Sequence, residues 1–173
     1  MTHPRFPKDL LQRAADIRLF VTDVDGCWTN GRITVHADGS ESAHFDVKDG
    51  YGMMAIQKAG IEIAVISGRD NPAVVARAER LGIQTRYMGQ MEKAPLIADL
   101  LAKRGLEPHQ VAAIGDDLPD LDLFARAGFS FAPHDAIPEL RDAADWVTAT
   151  NGGHGAIREC CDFLLLAQAE GRS

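Results

Sequence analysis

The chain has three cysteines, Cys27, Cys160 and Cys161. The number is odd, two are adjacent and no C-x-x-C spacing occurs, which argues against a disulfide framework or a structural zinc site and fits a reducing cytosol. Cys27 reads either as a reactive thiol or as a small buried residue, the latter being the commoner role. No apolar run approaches the roughly 18 residues that a membrane helix needs; FLLLA at 163–167 is far too short. The opening MTHPRFPKDLLQRAAD lacks an apolar export core, so no export signal is expected. Basic charge is also scarce, with a net charge of −7. This speaks against a nucleic-acid or membrane-surface partner, since both recruit basic patches. An anionic small molecule is not excluded, because a site can be locally positive on an acidic protein. With 173 residues and no linker or low-complexity segment, residues 1–173 are expected to form a single domain.

What is present is a regular alternation. IRLFVTD (17–23) and IEIAVISG (61–68) are continuous apolar runs of the kind that strands buried on both faces require. IQTRYM (83–88), VAAIGDD (111–117), FSFA (129–132) and DWVTA (145–149) read as further strands. Helical patterns lie over 7–16, 50–59, 72–81, 91–104, 119–127 and from Gly153 to about Gln168, several ending at glycine. Strand–helix alternation predicts a doubly wound, Rossmann-like parallel sheet with helices on both faces, an α/β fold. The one interruption is RITVHADGSESAHFDV (32–47), which alternates in polarity around a DG turn and predicts an inserted β-hairpin.

Ligands in open α/β sheets bind beyond the carboxyl ends of the strands. The polar residues there are Asp23 and Asp25 after the first strand, Ser67 and Arg69 after the second, Lys93 opening the helix after the third, and Asp116, Asp117 and Asp120 after the fourth. Helix capping alone explains Ser67 and competes for Asp117. It does not explain Asp23, Asp25 and Asp116 together, which repel unless a cation lies between them. A hard divalent ion with oxygen ligands fits, and Mg²⁺ also accepts phosphate oxygens. With Ser67, Lys93 and Arg69 as donors, the set suits phosphoryl transfer, with one carboxylate as nucleophile and another moving protons.

DVDG (23–26), SGR (67–69), Lys93 and GDDLPD (115–120) resemble, in order and spacing, the four motifs of the haloacid dehalogenase superfamily of phosphatases. The resemblance implies that Asp23 is the nucleophile, Asp25 the general acid/base, and Ser67, Lys93 and Gly26 the phosphate holders. It implies Mg²⁺ held by Asp23, Asp116 and the main-chain carbonyl of Asp25. Asp120 and Asp117 would orient the metal shell and Lys93. Only 41 residues separate Asp25 from Ser67 and 25 separate Ser67 from Lys93, so neither gap houses a cap domain. FDVKDGYGM (45–53), GIQTRYMGQMEK (82–93) and GGHGAIRECCDFLL (152–165) then resemble the capless subgroup whose substrate is 3-deoxy-D-manno-octulosonate 8-phosphate. That subgroup implies a homotetramer with neighbouring subunits completing each site and a role in lipopolysaccharide precursor synthesis; the cysteine pattern adds the expectation of a cytoplasmic location.

Within this resemblance Arg69 is expected to meet the carboxylate of a sugar-acid phosphate, the alternative being a surface ion pair. Relatives acting on a nine-carbon, sialic-acid-type 9-phosphate carry an acidic residue in the SGR slot, so Arg69 favours the eight-carbon acid. Asp49 and Gly50 are expected either to shape the substrate mouth or to serve the turn before helix 50–59. Relatives often read GGRGA where this chain has GGHGA, so His154 is either a substrate contact or a tolerant loop residue. Trp28 either walls the site or packs. A signalling receiver domain also has an acidic Mg²⁺ pocket, but it places its phospho-accepting Asp after the third strand, where IQTRYM has none.

Overall fold

The structure, a computed structural model, describes residues 6–171. In chain order the elements are α1 (Lys8–Arg13), β1 (Leu19–Thr22), the hairpin β2 (Thr34–Val35) and β3 (Glu41–Ser42), α2 (Val47–Lys58), β4 (Glu62–Ile66), α3 (Pro72–Arg80), β5 (Thr85–Tyr87), α4 (Lys93–Arg104), β6 (Val111–Ile114), α5 (Leu121–Phe124), β7 (Phe129–Ala132), α6 (Pro138–Ala143), β8 (Trp146–Val147) and α7 (Ala156–Gly171). The sheet runs β5-β4-β1-β6-β7-β8, with every neighbouring pair parallel. This is the expected doubly wound α/β fold. The expected hairpin is also present, as an antiparallel pair apart from the sheet, and among the described residues it is the only insertion between β1 and α2.

Alternate side chains of each strand feed opposite layers, as the two-residue strand period requires. Phe20, Ile63, Val65, Ala112 and Ile114 pack under α1, α2, α3 and α7, meeting Leu11, Met53, Ile56, Val74 and Phe163. Leu19, Val21, Ala64, Ile66, Val111 and Ala113 pack under α4 and α5, meeting Ile97, Leu100 and Leu123. Each such Leu, Ile or Phe contributes roughly 1.5–3 kcal/mol by leaving water. The chain winds outward from β1 in one direction through β4 and β5, then returns to β6 on the other side of β1. The crevice between the ends of β1 and β6 is therefore the switch point of the sheet.

Several boundaries differ from the sequence expectation: α4 starts at Lys93 rather than at residue 91, and α7 at Ala156 rather than at Gly153. α2 starts at Val47 rather than at residue 50, because Asp46 caps it by accepting from the Lys48 N–H at 2.7 Å. α1 stops at Arg13. The helix expected over 119–127 splits into a tight turn, Leu118–Asp120, and a single turn, α5. Asp117 caps the start of that turn by accepting from the Leu118 N–H at 2.8 Å. All three cysteines are free and buried. Trp28 packs: it is 1% exposed, donates to Thr22 Oγ1 and meets Phe45 edge-on.

The loop before α7 fastens onto the loop after β1. Gly153 N–H donates to the Cys27 carbonyl at 2.9 Å. A side chain at Gly152 would place its Cβ 1.7 Å from the Gly26 carbonyl oxygen, a main-chain atom that cannot step aside. Gly152→Ala is therefore expected to destabilise the fold by roughly 1–3 kcal/mol, as overpacking does elsewhere, measured as a lower urea midpoint with an unchanged slope.

Candidate active site

β1 ends where its pairing with β6 is still intact: Asp23 N–H donates to the Ile114 carbonyl at 3.1 Å. The chain then coils on itself, and the Val24 carbonyl accepts from the N–H groups of Cys27, Trp28 and Thr29. Gly26 sits at φ +81°, and a Cβ there would lie 1.9 Å from Asp116 Oδ2. This glycine is thus what lets the loop after β6 press its carboxylate against the loop after β1.

Lys93 is the first residue of α4 and is 3% exposed. Its Nζ donates to Asp23 Oδ1 and to Asp120 Oδ1, both at 2.6 Å. The second oxygen of Asp120 accepts from the N–H groups of Asp116, at 2.9 Å, and Asp117, at 3.3 Å. One buried carboxylate thus orients the lysine and the loop that carries Asp116. Burial by itself pushes the Lys93 ammonium down, but the two carboxylates outweigh it and hold it above its ordinary value. Burial raises Asp23 to about 7, with Asp120 adding to the rise and Lys93 opposing it. Asp116 is raised to about 8, by burial first and then by the charges of Asp23, Asp120 and Asp117. One ammonium therefore does not balance this cluster, and a second cation is called for.

The donor set suits a hard divalent ion. Carboxylate oxygens of Asp23 and Asp116 lie within 4.8 Å of one another and of Cys27 Sγ. Both aspartates line an open cleft of about 290 Å³ that leaves room for water or phosphate oxygens. The carboxylate of Asp25 is not in that group. It turns toward Arg69, 3.8 Å away. Burial raises the Asp25 carboxyl, Arg69 lowers it and Glu41 raises it again.

The cleft brings together Asp23, Asp25, Arg69, Lys93, Asp116, Asp117 and Asp120 of the expected residues. It adds Gly31, Gly68, Met91 and Pro119, of which Gly68 adjoins Arg69 and Met91 lies two residues before Lys93. Glu41 comes from the hairpin and forms a short ion pair with Arg69 Nη2. Arg69 therefore makes the ion pair that was the alternative reading of it, and it also faces the cleft. Ser67 is buried at the end of β4, and its Oγ accepts from the Arg69 N–H at 3.2 Å. Gly26 does not line the cleft; its place is the close approach to Asp116.

Three expected substrate contacts lie away from the cleft of this chain. Asp49 is buried, and its Oδ1 accepts from the Arg158 N–H at 2.7 Å, capping the first turn of α7. It serves the cap half of its expectation, but on a distant helix. Burial raises its carboxyl to about 6. Gly50 packs against Arg77 of α3, whose Nη2 would lie 2.3 Å from a Cβ there. His154 is an exposed loop residue near Asp49.

The haloacid dehalogenase-like hydrolase family matches residues 87–159. A Yersinia pestis protein, 3-deoxy-D-manno-octulosonate 8-phosphate phosphatase KdsC, is 45% identical over 160 residues, which are 92% of this chain and 86% of that protein. The crystal structure of the 3-deoxy-D-manno-octulosonate 8-phosphate phosphatase from Y. pestis superposes with a TM-score of 0.91 at 43% identity, over 96% of this chain and 90% of that one. The Moraxella catarrhalis phosphatase of the same name, crystallised with a magnesium ion, a phosphate ion and a KDO molecule, superposes with a TM-score of 0.92 at 38% identity, over 96% of each chain.

Asp23 and Asp116 bind protons more tightly in the folded chain than at the ordinary carboxylate value of 3.8. Their contribution to stability is complete below that value and is lost as pH rises through about 7 and about 8. The melting temperature in EDTA is expected to fall as pH rises across this window. Mg²⁺ restores it at the alkaline end, and Asp116→Asn flattens the slope.

Proposed function

The chain belongs to the haloacid dehalogenase-like hydrolases, and from that premise we propose that it is a Mg²⁺-dependent phosphatase that converts 3-deoxy-D-manno-octulosonate 8-phosphate to the free sugar acid and inorganic phosphate. The observation that carries this reading is the buried Asp23–Lys93–Asp120 chain beside Asp116, opening at the switch point into a cleft walled by Arg69. The names of the Y. pestis and M. catarrhalis relatives support the substrate.

In this reading Asp23 attacks phosphorus, the bond from phosphorus to the sugar oxygen breaks, and Asp25 gives its proton to that oxygen. Asp25 then takes a proton from water as the water attacks the aspartyl-phosphate, and phosphate leaves with Asp23 regenerated. A raised Asp25 carboxyl fits a group that must first donate a proton. Lys93 and the Ser67 hydroxyl hold phosphate oxygens. Asp120 keeps Lys93 charged and aimed, and Asp117 and Asp120 set the loop carrying Asp116. Asp23, Asp116 and the main-chain oxygen of Asp25 would hold Mg²⁺, which when bound would supply charge neutralisation for the phosphate. Arg69 meets the substrate carboxylate, exchanging Glu41 for it.

We read residues 1–173 as one hydrolase domain, cytoplasmic and acting in lipopolysaccharide precursor synthesis. Among the described residues no helix is long and apolar enough to cross a membrane. We also read the assembly as a homotetramer. The exposed Ile33 and Val35 on the hairpin and Val47, Tyr51 and Met54 on α2 support it, since such side chains favour burial between subunits. Of the expected contacts outside the cleft, the exposed His154 is the one that such an assembly could bring to substrate, since Asp49 and Gly50 are buried within their own chain.

Phosphate release from this substrate is expected to vanish in EDTA and in Asp23→Asn, and to fall roughly 10²–10⁴-fold in Asp25→Asn. Release that persists in Asp23→Asn overturns the assigned nucleophile. Arg69→Ala is expected to raise KM roughly ten- to hundredfold for the sugar-acid phosphate, as loss of a charged hydrogen bond does, with little change for a phosphate ester lacking a carboxylate. An equal rise for both esters would remove Arg69 from carboxylate recognition.

A further inference from the structure

Cys27 is 0% exposed, and no hydrogen bond engages its thiol among the described residues. Cys27 packs in the core, yet its thiol has carboxylates for neighbours. Its Sγ, one oxygen of Asp23 and one of Asp116 all lie within 4.8 Å of one another. The main chain is held on both sides of the sulfur, with Cys27 N–H donating to Val24 at 3.1 Å and the Cys27 carbonyl accepting from Gly153 at 2.9 Å. The sulfur is therefore a fixed neighbour of the two carboxylates.

A thiolate with two carboxylates is not a set for Mg²⁺, which prefers oxygen and keeps its waters. It matches soft or borderline ions that bind sulfur at about 2.3 Å and carboxylate oxygen at about 2.0–2.2 Å. Tetrahedral coordination at those lengths sets ligand atoms roughly 3.5 Å apart. The three ligand atoms lie within 4.8 Å of one another, so binding draws them closer together, and the open cleft beside Asp116 leaves a fourth position for water. Cys160 and Cys161, on α7, belong to no such group among the described residues.

We propose that Cys27, Asp23 and Asp116 form a second kind of metal site, for a soft divalent cation of the zinc–cadmium class, which competes with Mg²⁺ for the two carboxylates. Binding makes one metal–sulfur bond and releases the thiol proton to solvent, with no change of oxidation state. The site shares two residues with the phosphatase reading but involves no substrate.

The test is a Cd²⁺ titration of the metal-free full chain, followed by the ultraviolet thiolate-to-cadmium charge-transfer band. The band is expected to saturate at one ion per chain, to survive in Cys160→Ala/Cys161→Ala, to vanish in Cys27→Val and to require more Cd²⁺ as Mg²⁺ is added. Circular dichroism and the Mg²⁺-induced thermal shift check that Cys27→Val is folded; should it not be, Cys27→Ser replaces it, and displacement by Mg²⁺ in the unmodified chain carries the test. No band in the unmodified chain, a band that survives in folded Cys27→Val, or a band indifferent to Mg²⁺ overturns the proposal. A band in a chain without phosphatase activity would sink the proposed function and leave this site standing. An active phosphatase without the band would do the reverse.

Discussion

A single ammonium buried between two carboxylates organises this molecule. Lys93 is held at the first residue of α4 by Asp23 from one strand end and Asp120 from another, so three separated segments are tied at one point. Removing one partner from such a buried pair elsewhere costs roughly 3–5 kcal/mol, because it strands the other charge. The tie also sets the chemistry. One positive charge cannot balance Asp23, Asp116 and Asp120 at close quarters, so burial and mutual repulsion lift the carboxyls of Asp23 and Asp116 together. The fold tolerates this because the deficit lies next to an open cleft, where a cation can enter.

Across the same cleft the hairpin contributes the opposite arrangement. Glu41 pairs with Arg69, whose other nitrogen approaches Asp25. Here the charges are partly exposed and the ties are loose, as suits groups that must exchange partners. Catalysis in the proposed reading divides accordingly, with a rigid, buried charge cluster against phosphorus and an exchangeable pair at the recognition end.

Much of this was legible in the chain itself. Buried parallel strands announce themselves as uninterrupted apolar runs, and polar residues directly after them have one place to go, which is why Asp23, Asp25, Lys93, Asp116 and Asp120 could be gathered at one rim. Contacts made between loops leave no such trace. The pairing of Glu41 with Arg69 depends on how a short hairpin leans. The carboxylate of Asp49 finds its N–H donor at Arg158, far along the chain, so its neighbours in sequence suggested a mouth or a local turn instead. Cys27 reads as a small core residue by every local criterion, and only the approach of the loop after β6 puts carboxylates beside it.

The clasp between the loop before α7 and the loop after β1 also bears on the order in which the protein matures. Asp23 is made early in synthesis, while the backbone support of the loop that follows it, through Gly152 and Gly153, comes from the loop between β8 and α7. A nascent chain emerging from the ribosome thus displays its acidic strand ends long before the loop beneath them is pinned. Such a distant contact is among the slower ones to close. The competent geometry of the site should accordingly appear as a late event in folding, after the sheet has formed and α7 has docked, so that partly made chains carry the catalytic residues without holding them in working order.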